Sequence, residues 1–512
     1  MPAHARFLTS AAARFLLVAA TLFSIACAIP GRKSPRHISK ALASPPSFGW
    51  AASVELQLRS APPGTSGIAV INSNIDAFND RLLLASRATK TLDIQYFLWT
   101  PDTIGLLLSD AVLAAARRGV RVRFLIDDLN PTFSDRTLAA MAAHPNVEIR
   151  LFNPQGWRRL RKLDFILDFA RLNYRMHNKM FIMDNACAVI GGRNIADEYF
   201  GLHKSHNMRD LDLFAAGPVV RDASRVFDDY WNSAVAVPVE ALTRSRADLA
   251  SLQSQTANLK SQLAAEHSPF LPRESSLAAR QRAIAKDLVF ARCEVLYDNI
   301  ASFRSRNHEG TLVKRLEQEL ATARHSLEVE AAYFVMSKRD AAITSALLNK
   351  QVHVRVVTNS LASTNQPAAH SGHANRRHDL LRSGAALYEL RPDAAVARAD
   401  HAPGRQSALT GIHTKALVID ERKAFVGSFN LDPRSANINT EVGLLIDNPV
   451  IARRVSNFLD TATLPENSWR VTLNPHNRLE WAPPLSHHEP ATTRWQRFKC
   501  RIYRLLPIES LL

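Results

Sequence analysis

The 512-residue chain is 46% hydrophobic and 22% charged and carries a net charge of +17. That length leaves room for two to four domains, and the composition is that of an ordinary globular protein able to bury large cores. Four widely spaced cysteines exclude a disulfide framework or a zinc pattern, and the positive balance favours an anionic partner, nucleic acid or an acidic membrane surface, without choosing between them.

The chain opens on a targeting segment. Arg6 and Arg14 precede an apolar run from Phe15 to Ile29, which is short for a membrane span and suits a secretory signal. Ala26-Cys27-Ala28 offers a cleavage site, and Cys27 offers a lipoprotein acceptor. Cleavage, lipidation and an uncleaved anchor all stay open, and residues 1–28 are assigned to this export or anchor segment. Residues 29–63, rich in Pro, Ser and basic groups, read as a linker.

A first α/β half is expected over residues 64–238. Helices are predicted at Ile75–Ala88, Thr103–Arg118 and Arg136–Ala143, and strands at Thr91–Trp99, Val120–Ile126 and Val147–Phe152. The basic, aromatic stretch Trp157–Arg175 follows. It leads into HNKMFIMDNACAVIGGRN, from His177 to Asn194. Here His177 and Lys179, two apart on a strand, project to the same face. Asp184-Asn185 marks a tight turn, and the return strand brings Gly191-Gly192 and Asn194 back towards the histidine. Cys187 in that strand is a small core residue.

Residues 239–285 are polar and helix-prone with a thin apolar stripe, and read as a helical, solvated connector in preference to a short coiled hairpin. A second half, 286–465, repeats the first: SLEVEAAYF from Ser326 matches TLDIQYFLW from Thr91, and VHVRVVTNSL from Val352 matches VRVRFLIDDL from Val120. Its hairpin, HTKALVIDERKAFVGSFN, runs from His413 to Asn430, and the two histidines lie 236 positions apart (413 − 177). His370, His373 and His378 precede it as loop or pocket-rim residues, with no acid or Cys pattern that would make them metal ligands. Residues 466–512 read as a basic, aromatic tail. Its segment Trp495–Leu506, like Trp157–Arg175, suits a lipid headgroup interface or a nucleic-acid groove.

Two imidazoles, two ammonium groups and two amides around one phosphorus suit metal-free attack on a phosphodiester. One histidine attacks phosphorus, the other protonates the leaving oxygen, and the lysines offset charge on the non-bridging oxygens. Asp210 and Glu441 each stand eight residues before a proline, 33 and 28 positions after the histidine of their own half. A carboxylate there would fix an imidazole tautomer; Asp212 is the rival of Asp210. Asp184 and Asp420 sit where turn chemistry favours Asp in any case.

The doubled motif resembles the phospholipase D superfamily. Within it, the chain is similar to bacterial cardiolipin synthases of the C type. RMHNKMFIMDNACAVIGGRNIADEYF from Arg175 and GSFNLDPRSANINTE from Gly427 carry most of this, supported by DIQYFLW from Asp93, DLDLFAAGPVV from Asp210 and LLPIESLL from Leu505. The resemblance implies an α/β fold of two duplicated phospholipase D-like α/β/α sandwich domains with the active site at their interface. It implies a catalytic set of His177, Lys179, Asp184, His413, Lys415 and Asp420, and histidine-orienting roles for Asp210 and Glu441. Asn194 and Asn430 would hold substrate phosphate with help from Ser428.

The expected activity is phosphatidyl transfer between phospholipids, with His177 as nucleophile, a phosphatidyl-histidine intermediate and neither metal nor cofactor. The expected partners are phospholipids of an anionic membrane surface and not nucleic acid, in the bacterial cell envelope; an auxiliary protein stays open. The alternatives are hydrolysis to phosphatidic acid and a nuclease-like phosphodiesterase. The chain departs from the family pattern at Glu330–Phe334, which lacks a Ser-Pro before Tyr333-Phe334, and at His373, where Tyr is usual.

Overall fold

In the computed structural model the described residues are 30, 31, 34–129, 133–243, 249–303, 311–506 and 511. The expected export segment lies outside them. Each half is built from strand–helix–strand units whose apolar strands pair in parallel. In the first half these are β2 (Thr91–Tyr96), β3 (Arg121–Asp127) and β4 (Val147–Phe152); in the second, β11 (Ser326–Ala331), β12 (His353–Asn359) and β13 (Ala386–Leu390).

The motif hairpins extend these sheets. Strand β5 (Met180–Met183) pairs antiparallel with β2 and with β6 (Cys187–Gly191), and β15 (Lys415–Ile419) does the same with β11 and β16 (Lys423–Gly427). Strands β8 (Asp212–Ala216) and β17 (Val442–Asp447) follow on β6 and β16. At the centre β1 (Ser66–Ile71) pairs with β8 and with β10 (Val289–Tyr297), and β10 pairs with β17. One sheet of 17 strands therefore runs through both halves, and the copies meet back to back across β1 and β10.

Three large apolar clusters make up most of the core of the described residues. One lies on the outer face of the first half and one on the outer face of the second. The third lies between them, where Ile68, Val226 and Trp231 join Val418, Leu444 and Ile451 from the other half. Its helices are α7 (Pro218–Trp231) and α15 (Pro449–Thr463), one from each copy, each opened by a proline in its first turn.

Three expectations change. The stretch read as a linker contains helix α1 (Gly49–Arg59), which buries Trp50, Ala51 and Val54. Its upstream part is held by buried arginines, Arg123 donating to Ser39 O and Arg150 to His37 O.

The connector forms α8 (Leu249–Ala265) and α9 (Glu274–Asp287), whose Leu252, Leu263, Leu277 and Ile284 join the core of the first half. A thin stripe suffices there because each helix buries one narrow face and leaves the rest in water.

The tail adds β18 (Ser468–Leu473) to the edge of β13 and β19 (Leu479–Ala482) to β18, burying Trp469 and Trp481, before helix α16 (Arg494–Leu505). No described helix is long and apolar enough to cross a membrane.

Candidate active site

Each hairpin turns through two left-handed residues, Asp184-Asn185 and Asp420-Glu421, with φ between 50° and 54°. The short polar side chains of Asp and Asn tolerate that conformation. The two aspartates then act as clamps. Asp184 accepts from the backbone N–H groups of Thr89, Lys90 and Thr91 and from the Thr89 hydroxyl, at 2.8–2.9 Å. Asp420 accepts from the N–H groups of Arg324, His325 and Ser326, at 2.7–3.1 Å. Both carboxylates are spent at the far end of the hairpin from the histidines. Their place in the catalytic set is corrected to a structural one. Asp184→Ala should leave several buried amides unpaired and lower stability by about 2–4 kcal/mol, read as a drop in denaturant midpoint. A midpoint unchanged within error would contradict the clamp.

At the other end, each chain crosses to the opposite half before its hairpin begins. Met176 bridges to Thr440, and the His177 N–H donates to Thr440 O at 2.8 Å. Symmetrically, β14 (Leu409–Ile412) runs parallel to β7 (His206–Arg209), and the His413 N–H donates to Arg209 O at 2.8 Å. The residues that follow Thr440 and Arg209 are Glu441 and Asp210. The His177 Nδ1 therefore meets Glu441 at 2.8 Å, and the His413 Nδ1 meets Asp210 at 2.5 Å. Both acids take the orienting contact, but each serves the histidine of the other half. Asp212, the rival, is committed to Arg81 and Arg193.

The glycine and serine of the motifs are explained by these carboxylates. A Cβ on Gly192 would lie 2.3 Å from Asp210 Oδ1, so no larger side chain fits without moving the acid. In the second copy the equivalent residue is Ser428, whose hydroxyl donates to Glu441 Oε2 at 2.5 Å and accepts from the Val442 N–H at 2.9 Å. Ser428 is fully buried. Its expected role on substrate phosphate is corrected to holding Glu441.

With Nδ1 donating to a carboxylate, each ring presents the lone pair of Nε2. Phe97 packs edge-on to the His177 ring at 5.0 Å, and Tyr199 to the His413 ring at 4.7 Å. Both histidines line one cleft of about 600 Å³ with Asn194, Asn430, Tyr199, Tyr333 and Arg434. Lys179 and Lys415 lie buried beside them, each ammonium donating to the carbonyl of the histidine two residues before it. Asn194 and Asn430 are 2% and 4% exposed, and their Oδ1 atoms have no partner.

Burial and the two lysines push the His177 pKa well below its ordinary value. Burial and Lys415 bring His413 down to about 3. Burial works against the Asp210 carboxylate too, yet His413 and Lys415 override it and hold Asp210 at about 2. Glu441 goes the other way, pushed up to about 7 by burial with Lys179 and Ser428 opposing. Burial lowers Lys179 to about 7 and Lys415 to about 8. An anion in the cleft restores the ammonium form, so binding takes up protons. The affinity for a phosphate analogue such as tungstate is therefore highest below pH 7 and falls as pH rises through 7 and 8, by up to about tenfold per unit for each lysine. Calorimetry in two buffers of different ionisation enthalpy reads the uptake directly; no proton uptake near pH 8 would refute this account.

Sequence reasoning missed Tyr199, Phe97, Tyr333 and Arg434. Tyr199 was findable, standing five residues after Asn194. The histidine cluster is also corrected. His370 and His373 are buried on α12 (Pro367–Arg382) against Glu489 and Glu389, and do not line the cleft, so the departure at His373 lies outside it. Tyr333, beside the missing Ser-Pro, does line it, and its hydroxyl donates to Asn365 at 2.9 Å.

A family model described as cardiolipin synthase, PLD-like domain, matches the chain twice, over residues 83–231 and 316–462. The chain is 35% identical over 484 residues to cardiolipin synthase C of Escherichia coli (strain K12), covering 90% of this chain and 99% of that one. It is 24% identical to the major cardiolipin synthase of Bacillus subtilis (strain 168), over 77% of this chain and 68% of that one. Among solved structures, phosphatidylserine synthase of Haemophilus influenzae Rd KW20 shares the fold at a TM-score of 0.56 and 13% identity, over 90% of this chain and all of that one. Two matched segments, each with its own His-x-Lys hairpin and each supplying half of both acid–histidine pairs, place this chain in the phospholipase D superfamily, among the cardiolipin synthase-like members.

Proposed function

We propose that this protein is a phosphatidyltransferase that forms cardiolipin from two phospholipids. The observation that carries the reading is the pair of cross-half acid–histidine dyads opening on one cleft, flanked by two buried lysines and by two asparagines whose Oδ1 atoms have no partner. His177 Nε2 attacks the donor phosphorus. A P–N bond forms, the P–O bond to the headgroup alcohol breaks, and His413 delivers the proton to that alcohol. Burial and then Lys415 depress the His413 pKa; the anionic substrate offsets the lysine charge, and Asp210 stabilises the imidazolium. His413 then takes the proton of the acceptor hydroxyl. That oxygen attacks phosphorus, the P–N bond breaks and His177 is restored. Lys179, Lys415, Asn194 and Asn430 hold the non-bridging oxygens, with charge developing against buried cations. Water in place of the acceptor alcohol gives phosphatidic acid.

Membrane association belongs to the same proposal. Helix α16 exposes Trp495, Phe498 and Ile502, 60%, 51% and 42% accessible, among Arg494, Arg497, Lys499, Arg501 and Arg504. Apolar side chains beside cationic ones suit an anionic bilayer surface. The apolar run at Phe15–Ile29 supports export to, or anchoring in, the cell envelope. The double variant Trp495→Glu with Phe498→Glu should weaken binding to phosphatidylglycerol vesicles by about tenfold or more. Equal sedimentation of variant and parent would remove α16 from the docking face.

The deciding experiment is expression in a host lacking its own cardiolipin synthases, followed by mass spectrometry of total lipid. Cardiolipin appearing with the intact chain and not with His177→Ala supports the transferase. Raised phosphatidic acid without cardiolipin selects the hydrolase, and an unchanged lipid profile with folded protein in the envelope overturns the lipid reading.

A further inference from the structure

The two copies share the His, Lys and Asn of the motif around the cleft and then diverge beyond the asparagines, where Ala196 and Asp197 stand against Asp432 and Pro433. At the next position the first copy has Glu198 and the second has Arg434, and both line the cleft. A symmetric site would treat two substrates alike. This pair sets an acid on one wall against a guanidinium on the other, where Asp432 also lines the cleft.

Among the described residues Arg434 makes no direct ion pair, although the charge of Asp432, two residues before it, acts on it. Its guanidinium donates to two backbone carbonyls, Asn173 O at 2.9 Å and Leu511 O at 3.2 Å, and among the described residues no carboxylate lies within ion-pair distance. Arg434 lines the same cleft as His177. Beside it is Asn439, whose N–H donates to Arg434 O at 2.9 Å. Asn439 lines the cleft, is 7% exposed, and its Oδ1 has no partner. A turn of that amide presents its NH2 instead. The equivalent position in the first copy, His203, is absent from the cleft lining.

The chemistry proposed above needs this asymmetry. Lys179, Lys415, Asn194 and Asn430 accommodate the phosphodiester that reacts. The acceptor lipid brings a second phosphodiester on the same glycerol as its attacking hydroxyl. A three-carbon bridge of ~1.5 Å bonds keeps the two phosphorus atoms within roughly 6–7 Å of one another at transfer. A second anion that close, in a partly buried cleft, is costly without a cation of its own. Glu198 repels it from one wall. A planar guanidinium with free N–H groups and an adjacent amide receive it on the other.

We infer that Arg434 and Asn439 form a second phosphodiester subsite, which holds the phosphate of the acceptor lipid while the motif residues hold that of the donor. The inference rests on the phosphatidyltransferase reading. It gives the cleft a means of preferring a lipid alcohol that carries a phosphate over a neutral alcohol or water.

The test is a competition in one reaction. Full-length enzyme in mixed micelles of phosphatidylglycerol is given ethanol as a second, uncharged acceptor, and cardiolipin and phosphatidylethanol are counted together by mass spectrometry. In Arg434→Gln the ratio of cardiolipin to phosphatidylethanol should fall by about 10- to 100-fold, the worth of a charge-assisted hydrogen bond to phosphate. Asn439→Ala should lower it by about fivefold. Arg434→Lys, which keeps the charge and loses the fork, should fall between wild type and Arg434→Gln. Because the ratio is internal to each sample, poor folding lowers both products and leaves it unmoved. Both products falling in proportion would overturn the subsite and make Arg434 a structural or donor-side residue. Wild-type enzyme forming neither product would instead sink the phosphatidyltransferase reading beneath it.

Discussion

On the proposed mechanism, replacing His177 with alanine lowers cardiolipin formation by on the order of 10⁵-fold or more, because the nitrogen that forms the covalent intermediate is gone. His413→Ala costs a comparable factor with natural lipids, for a different reason: the departing alkoxide then leaves without a proton. The two losses separate on a donor whose leaving group needs no proton. With a p-nitrophenyl phosphodiester, His413→Ala releases one equivalent of p-nitrophenolate in a burst and accumulates acid-labile, phosphorylated enzyme. His177→Ala gives neither. The reverse pattern would assign attack to His413, and a burst from both variants would put the nucleophile elsewhere. The two motif copies are so nearly equivalent that their residues alone do not choose; the leaving-group experiment does.

The second large effect concerns the acids. Asp210→Asn and Glu441→Gln keep the shape of the side chain, remove its charge and disturb the imidazole tautomer, at a cost of on the order of 10³-fold in kcat. Which histidine each variant disables follows from the crossing contacts, His413 with Asp210 and His177 with Glu441. Asp210→Asn should therefore behave as His413→Ala does, slow with an alkyl leaving group and relieved by p-nitrophenol. Glu441→Gln should behave as His177→Ala does, slow with both. Pairing within each half would exchange the two results.

The pH profile gives a second readout. Glu441 lies at about 7 in the free enzyme because of burial, so kcat/KM rises as pH increases through that value and the carboxylate forms. Lys179 and Lys415, at about 7 and 8, give up their protons over the next units, so kcat/KM falls again on the alkaline side. Glu441→Gln should erase the acid limb and keep the alkaline one. An acid limb that survives in this variant would belong to another group.

Much of this site was legible in the sequence, for physical reasons. An apolar run after each Lys, a polar turn and a small residue before each Asn describe a hairpin, and the same spacing twice describes its partner. The strands of each half were legible because VRVRFLI and VHVRVV are apolar runs at matching places in a repeated unit, while their parallel pairing came from the structure. The acids were found by their equal distance from a proline, but their true partners were not. Position within a copy carries no information about how two copies face each other, and the crossing is made by backbone pairing at Thr440 and Arg209.

Ser428 was misread because a hydroxyl beside an active centre suits a phosphate and a carboxylate equally. Asp184 was placed among the catalytic residues by the motif, while its left-handed turn and four donors belong to the fold. Residues 37–39 looked like a linker because their carbonyls are taken by distant buried arginines, which composition does not reveal.

The exchanged dyads also bear on how such a chain can diverge after its halves have duplicated. Each copy keeps one histidine held by the other copy's acid, so on the proposed mechanism neither can lapse into a silent passenger while its twin carries on. A lesion at Asp210 is felt in the second hairpin, and a lesion at Glu441 in the first. Selection on either repeat is thereby selection on both. Freedom to differ remains where a side chain meets the cleft without serving the opposite ring, as at Glu198 and Arg434. An ancestral pair of identical sites could become a single asymmetric one along that route, with its chemistry duplicated and its recognition divided.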